Sequence, residues 1–372
     1  MARGGPDTTL AEPINPTLAA RKASMTNEQL RQTLAQSLVV GFEGLAPQPE
    51  ALCLAAGEGL GGLILFARNI QDPEQVWDLN RQVAAGAAAA GRPVPFIMVD
   101  QEGGSVARLR PPFCDGPGFQ ELGQSGDPRL LRDMGARLGA ELLASGFNWD
   151  LAPVLDVHGV SGGVQESRSL GSDPARVAEL GAAFIGGMQG KGCLACAKHF
   201  PGLGRTTLDT HRERPRVDLS RQELEAVELV PFERAVRAGV AGMMVCHAVF
   251  SALDPDRPAS LSPLVIEGLL RRDLGYQGLV LSDDLEMGAV AADLDPAAAA
   301  VAAYRAGCDL LLICKHHDFA LEALERLVAL ALAGEISPER IEQSAGRIAR
   351  AKAGLHPGPG PLANLKGLLG MA

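Results

Sequence analysis

Two stretches of the 372-residue sequence carry side chains that can move protons and attack carbon. The first follows the apolar run LACA and contains Lys198, His199, Asp209 and His211. The second, LSDDLEM, places Asp283 directly after another apolar run. A histidine with an orienting aspartate, together with a distant strand-end carboxylate, can support acid/base and nucleophilic catalysis in two steps.

The spacing within each stretch indicates individual roles. Asp209 and His211 are two residues apart, so a loop can fold the carboxylate onto one imidazole nitrogen, orient the ring and favour its protonated form. A D-x-H triplet also occurs by chance. A buried ionised carboxylate such as Asp283 is costly unless a cation or substrate meets it, which favours catalysis over a helix cap or salt bridge. Asp284 is interpreted as that cap or as a supporting group.

Composition excludes several classes of protein. The 34 Lys and Arg residues against 44 Asp and Glu give a net charge of −10, and 47% of the residues are hydrophobic. Such a chain can build a large core. No basic run exceeds Arg271–Arg272, so nucleic acid is not an expected partner.

Cysteine usage and the N-terminal sequence bear on location. The seven cysteines are odd in number and lie mostly in apolar runs, which is typical of reduced thiols in the cytoplasm. Cys193 and Cys196 form a lone C-x-x-C and are interpreted as small core residues. The N-terminus lacks the apolar region of a secretory signal, and no apolar stretch reaches the roughly 20 residues that span a bilayer. We therefore expect a cytoplasmic protein with no membrane partner.

Apolar runs alternate with helical patterns along the chain. The predicted strands are 37–42, 61–66, 95–100, 148–157, 194–200, 242–250, 278–284 and 309–315. The helical patterns between and after them are 73–89, 128–145, 174–190, 221–238, 262–273, 296–307, 318–333 and 338–353. Eight such units predict an α/β fold, a single-domain (β/α)₈ TIM-type barrel. A doubly wound sheet is the alternative, but GEGLGG precedes a strand and does not fit a dinucleotide turn.

The domain prediction follows from this pattern. Residues 1–25 are polar and predict a flexible N-terminal arm. Residues 26–355 are predicted to form the catalytic barrel, and residues 356–372 a Pro/Gly-rich C-terminal tail or surface-packed strap.

Polar residues follow nearly every predicted strand, where the reactive groups of such barrels gather. Lys198 and His199 would face opposite ways on a regular strand, so a turn must begin there for both to reach one ligand. His247 is left open as a site residue or a core histidine.

Several long motifs carry a resemblance to a known family. They are VDQEGGSVARL, LAPVLDV, ESRSLGSDP, KHFPGLG with DTH, and LVLSDDLEMGAV. In this order and spacing, from about residue 28 to about 355, the chain resembles glycoside hydrolase family 3. It is most similar to the single-domain β-N-acetylhexosaminidase branch of bacterial peptidoglycan recycling.

The resemblance implies a retaining glycosidase that needs no cofactor and no metal. Asp283 would be the nucleophile, and His211, held by Asp209, would serve as acid and then base. The positions that match the sugar-binding residues of the family are Asp100, Arg108, Arg168, Lys198 and His199. The expected partner is a carbohydrate, an N-acetylglucosaminide or muropeptide, and the expected state is a monomer or weak homo-oligomer. An imidazole also titrates near ~6.5, which suits proton transfer close to neutrality.

The sequence departs from the family pattern at three positions. Leu203 replaces the second histidine of the usual KHFPGHG, Ser105 stands where arginine is common, and Thr210 replaces a frequent serine. A lost polar group at 203 would bear on loop mobility or on preference beyond the first sugar. None of the three positions is assigned to chemistry.

Four other functions remain open. The chain could be a phosphorylase of the same family, since a histidine acid/base adds no second anion beside phosphate, or a β-glucosidase. A metal-dependent barrel hydrolase would use His199, His247 and Asp283 as ligands, but an H-x-H after the first strand is missing. The last alternative is a non-catalytic muropeptide sensor.

Overall fold

The computed structural model describes residues 25–46, 53–159, 165–206 and 214–371, and eight parallel strands in these ranges form a closed barrel. The strands are β1 (Leu38–Val40), β2 (Gly62–Leu65), β3 (Phe96–Val99), β4 (Trp149–Asp150), β5 (Leu194–Phe200), β6 (Gly242–Val245), β7 (Leu279–Asp284) and β8 (Leu310–Ile313). They pair in chain order, and β1 closes the barrel by pairing with β8. The predicted (β/α)₈ barrel is confirmed.

Helices connect the strands and cover the barrel. Their bounds are Asn27–Ala35, Pro73–Ala89, Phe119–Ser125, Pro128–Ala144, Pro174–Gln189, Arg221–Glu223, Leu229–Arg237, Gly288–Ala291, Pro296–Ala306, His317–Leu332, Pro338–Lys352 and Leu362–Leu369. π-Helical segments span Cys53–Glu58, Leu224–Glu228 and Leu264–Asp273. Five helices begin at a proline whose preceding Asp or Ser side chain accepts a backbone N–H of the first turn. Proline at the first helical position and an N-cap acceptor are both signals readable in the sequence.

The barrel interior is filled by side chains from the inward-facing strand positions. They form one buried cluster that includes Val39, Ile64, Met98, Trp149, Cys196, Met244, Leu281 and Leu312. The rings of Trp149 and Phe96 meet edge to face with centroids 4.8 Å apart. A second, larger cluster packs the outer strand faces against the helices. The strands are thus buried on both faces, which explains their nearly continuous apolar sequences.

The fourth predicted strand, 148–157, is too long, because regular pairing ends at Asp150. Pro153 has no N–H to donate to a ladder, so regular pairing does not resume beyond Asp150. Contact with β5 continues irregularly, since Lys198 donates its N–H to the carbonyl of Pro153 and Leu155 donates to the carbonyl of Lys198.

The sixth predicted strand, 242–250, is also too long. β6 ends at Val245, and Val249–Phe250 instead pairs in parallel with Arg216–Val217 outside the barrel. The apolar character of 246–250 therefore reflects burial under the loops at the barrel end, not continuation of the strand.

The C-terminal segment packs on the barrel surface as a helix, Leu362–Leu369, with Leu365 buried. Trp77 donates its Nε1–H to the carbonyl of Gly360 at 2.9 Å, and Lys366 pairs with Glu74 at 2.7 Å. The predicted arm, 1–25, lies outside the described residues except for Met25. Among the described residues, no helix has the length and hydropathy to cross a membrane.

Candidate active site

A cavity of about 170 Å³ opens at the carboxyl ends of the strands. Six of the predicted site residues line it, namely Asp100, Arg108, Arg168, Lys198, His199 and Asp283. The two others, Asp209 and His211, lie outside the described residues. The volume is below the roughly 300–1,000 Å³ of pockets for drug-sized ligands, so the cavity suits a single small ring.

Lys198 is the most deeply buried of the three basic residues that line the cavity, the others being Arg108 and Arg168. It is 2% exposed, and its Nζ lies 2.8 Å from Oδ1 of Asp100 and 2.7 Å from Oε1 of Glu102. Burial alone would lower the pKa of Lys198, but the charges of Asp100 and Glu102 raise it above its usual value. Lys198 is therefore a permanent ammonium group inside the site.

Glu102 joins this lysine to the arginine of the neighbouring loop. Arg168 donates from Nε and a terminal nitrogen to the two oxygens of Glu102, at 2.8 and 2.7 Å. Burial tends to raise the pKa of Glu102, but Lys198 and Arg168 outweigh it and hold that pKa far below its usual range. Glu102 is a site residue that the sequence motifs do not predict. Its position two residues after Asp100, in the same strand-end segment, was the available signal.

Lys198 and His199 reach the same cavity because β5 is irregular at its end. The predicted turn at Lys198 and His199 is wrong, because β5 runs on to Phe200 and the turn begins at Pro201; instead the pairing register of β5 with β6 shifts between Ala197 and Phe200. Nδ1 of His199 lies 2.7 Å from Oδ2 of Asp156. A carboxylate can only accept, so Nδ1 carries the proton and Nε2 remains for a ligand.

Asp283 is the second-last residue of β7 and also lines the cavity. Its Oδ1 accepts the backbone N–H of Asp284 at 2.8 Å. Burial tends to raise the pKa of Asp283, but His199 and this N–H lower it below the usual value. The group is consequently an ionised carboxylate at neutral pH, as a nucleophile requires.

Asp284 also lines the cavity but holds the protein's own backbone. Its Oδ1 accepts the N–H groups of Glu286 at 3.1 Å and Cys314 at 3.2 Å. Burial, with the nearby carboxylates, raises the pKa of Asp284 to about 6. Its contacts fit the supporting role interpreted from the sequence.

His247 is a core histidine. It is fully buried, its Nε2 donates to the carbonyl of Asp284 at 3.0 Å, and its Nδ1 accepts from Oγ of Ser260 at 2.7 Å. Burial lowers the pKa of His247, so the ring is neutral and both nitrogens are occupied. It therefore has no nitrogen left for a metal. Within the described ranges, no group of three His, Cys, Asp or Glu residues is placed to hold a metal ion.

Two of the positions that depart from the family pattern can be located. Leu203 is buried in the outer core, and its backbone N–H donates to Asp156 at 2.7 Å. Ser105 is exposed in the turn between Gln101–Gly103 and Val106–Ala107. Thr210 lies outside the described residues. Leu203 thus contributes packing, and its side chain does not line the cavity.

A closed (β/α)₈ barrel with ionisable groups at the carboxyl ends of its strands has the arrangement of a barrel enzyme. The chain belongs to glycosyl hydrolase family 3, since the family's N terminal domain matches residues 26–351.

Named relatives and solved structures agree with this assignment. The chain is 40% identical over 297 residues to a beta-hexosaminidase of Alkalilimnicola ehrlichii, covering 78% of this chain and 84% of the relative. A family 3 beta-N-acetylglucosaminidase from Paenibacillus superimposes with a TM-score of 0.86 at 39% identity, over 89% of this chain and 63% of that longer one. A beta-N-acetylhexosaminidase from Beutenbergia cavernae gives 0.81 at 32% identity, over 89% of this chain and 100% of the other.

Proposed function

We propose that the protein is a retaining exo-β-N-acetylglucosaminidase that removes a terminal β-linked N-acetylhexosamine. The observation that carries this proposal is the cavity, which suits a single sugar ring. It is lined by the ionised carboxylate of Asp283 together with Lys198, Arg168 and His199. The names of relatives, beta-hexosaminidase and beta-N-acetylglucosaminidase, support the choice of an amino sugar.

The chemistry proceeds in two displacements. One carboxylate oxygen of Asp283 bonds to the anomeric carbon while the bond from that carbon to the leaving oxygen breaks, and His211 gives its proton to that oxygen. In the second step His211 takes a proton from water, and the water oxygen displaces Asp283 from the sugar. Asp209 holds the His211 ring in both steps. Aspartate and histidine end in their starting protonation states.

The ion-paired groups at the base of the cavity position the sugar. Asp100, Arg108, Arg168, Lys198 and His199 would bind the ring hydroxyls. Their mutual pairs, such as Lys198 with Asp100 and Arg168 with Glu102, fix these donors and acceptors before substrate arrives. Such fixed dipoles stabilise a transition state without reorganising in it. The small volume favours one terminal sugar, hence exo cleavage.

A cytoplasmic role in releasing N-acetylglucosamine from peptidoglycan-derived muropeptides follows from the family resemblance. The cysteines support a reducing compartment, because six of them, at positions 114, 193, 196, 246, 308 and 314, are buried free thiols.

A substrate panel tests the proposal. The purified protein is offered 4-nitrophenyl N-acetyl-β-glucosaminide, the matching glucoside and an anhydro-muropeptide, with and without phosphate. We expect N-acetylglucosamine as product, fastest from the amino-sugar substrates and unchanged by phosphate. A sugar 1-phosphate product would identify a phosphorylase, preference for the glucoside a β-glucosidase, and no turnover of any substrate a binding protein.

A further inference from the structure

Gln165 is a polar residue of the cavity to which neither the sequence analysis nor the proposed mechanism gives a role. It immediately precedes the short 3₁₀ turn Glu166–Arg168, whose last residue contributes the guanidinium that binds Glu102. The side chain of Gln165 lines the cavity and is only 4% exposed. Its amide therefore belongs to the wall of the sugar site.

The amide oxygen of Gln165 is a buried acceptor that the described part of the chain leaves unused. Oε1 has no hydrogen-bond partner among the residues that the structure describes. Buried polar atoms are nearly always paired in folded proteins, and an unpaired one inside a ligand cavity is a natural contact for the ligand. A donor brought by the substrate would satisfy it.

Two other acceptors of the cavity, the carboxylates of Glu102 and Asp100, are already engaged by cations. Glu102 is bound by Arg168 and Lys198, and Asp100 by Lys198 at 2.8 Å and Arg108 at 3.7 Å. The basic groups Arg168 and Lys198 can only donate. Gln165 thus supplies a neutral acceptor beside a charged network in which the carboxylate oxygens are already paired with basic side chains.

An acetamido N–H is the substrate group that matches this acceptor. Hydroxyl groups donate and accept, so they can accept hydrogen bonds from the cations of the cavity. An amide N–H can only donate, and a neutral amide oxygen accepts it without bringing another charge into the site. A site built to pair such a group rejects an analogue that lacks it, because the buried acceptor then stays unpaired.

We propose that Oε1 of Gln165 accepts a hydrogen bond from the 2-acetamido N–H of the bound sugar and is a specificity-determining residue for N-acetylated sugars. The proposal rests on the proposed function, since it assigns the contact within the same site.

The test replaces Gln165 by methionine, which keeps the length of the side chain and removes the acceptor. We expect Gln165→Met to lower kcat/KM for 4-nitrophenyl N-acetyl-β-glucosaminide by about 10- to 100-fold and to change the value for the glucoside by less than about threefold. The matched control is Gln124→Met, the same change at an exposed position of the helix Phe119–Ser125. This control should leave both values unchanged.

Calorimetric titration with N-acetylglucosamine and with glucose gives a second readout that needs no turnover. We expect Gln165→Met to weaken binding of the first sugar alone, by the same factor. An equal loss for both sugars, or no loss for either, would overturn the role of Gln165. Failure of the wild-type protein to hydrolyse any amino-sugar glycoside would instead count against the proposed function. The titration would still test the contact between Gln165 and the acetamido group, because binding needs no turnover.

Discussion

Nδ1 of His199 lies 2.7 Å from Oδ2 of Asp156, and the second oxygen of the same carboxylate accepts the backbone N–H of Leu203 at 2.7 Å. Asp156 therefore fixes both a ring that lines the cavity and the backbone at Leu203, shortly after β5. One buried carboxylate couples the end of the strand to the segment that follows it.

Asp156→Asn tests this coupling. Asparagine keeps an oxygen for the N–H of Leu203 but presents an NH₂ or a weaker acceptor to His199, which disturbs the tautomer and the ring orientation. We expect kcat/KM to fall about 10- to 100-fold while the thermal midpoint changes little. Steady-state kinetics and a melting curve on the same preparation measure the two effects. Unchanged kinetics would show that His199 does not depend on Asp156.

Glu102→Gln tests the buried charge network. The variant leaves Lys198 and Arg168 with one carboxylate fewer in a buried site, so we expect the free energy of unfolding to fall by about 3 kcal/mol. Denaturant titration measures it. Glu233→Gln, at an exposed helix pair with Arg237, is the control and should change stability by less than about 0.5 kcal/mol. Equal effects in both variants would contradict a special role for the network.

Asp283→Asn and Asp284→Asn separate two adjacent carboxylates. Asparagine at 283 removes the proposed nucleophile, so we expect kcat to fall at least about 10³-fold. Asparagine at 284 keeps an oxygen for the N–H groups of Glu286 and Cys314, and we expect a loss of less than about tenfold. Single-turnover and steady-state assays compare the two variants. The reverse ranking would move the nucleophile to Asp284.

His211→Ala tests the proposed acid/base. A lost general acid matters most when the leaving group is poor, so turnover should fall much more for a muropeptide than for a 4-nitrophenyl glycoside. The ratio of the two losses, measured as kcat/KM, is the readout. Equal losses for both substrates would argue against proton donation by His211.

Glu228 gives the fold a pH-dependent element beside the site. Its side chain is 1% exposed, Arg205 donates to Oε1 at 3.1 Å, and Oε2 has no partner among the described residues. Burial and the charge of Asp156 raise the pKa of Glu228 to about 7, against the opposing effect of Arg205. The folded state therefore favours the protonated carboxyl.

Glu228→Gln isolates this contribution. Because the folded state favours the protonated carboxyl of Glu228, its contribution to stability is complete below pH about 4.5. This contribution is lost as the pH rises through about 7 and the buried carboxyl ionises. Between pH 4 and 8, the unfolding free energy of the wild type should therefore drop by about 3 kcal/mol relative to Glu228→Gln. Chemical denaturation of both proteins across this range measures the difference. A difference independent of pH would contradict the raised pKa.

The sequence was sufficient for the barrel and for most of the cavity. Apolar runs fix the strands because both faces are buried, and the carboxyl ends of parallel strands meet at one end of the barrel. Asp100, Lys198 and Asp283, far apart in sequence, were therefore predicted to meet, and they do. Strand ends were less predictable, since Pro153 interrupts an apolar run that continues beyond it.

The partnerships within the site were not predictable. That Glu102 binds both Lys198 and Arg168, or that Asp156 holds His199, depends on side-chain directions at irregular strand ends. Gln165 carries no charge and belongs to no motif that indicates chemistry, so only its burial and unpaired oxygen reveal it.

Trapping the covalent intermediate is the most direct measurement of the central claim. The protein is incubated with 5-fluoro-N-acetylglucosaminyl fluoride, digested and analysed by mass spectrometry. The account predicts one added glycosyl unit per chain, located on the peptide that contains Asp283 and absent from Asp283→Asn. A label on another carboxylate, or steady turnover of the reagent to a product of inverted configuration with no label, would contradict it.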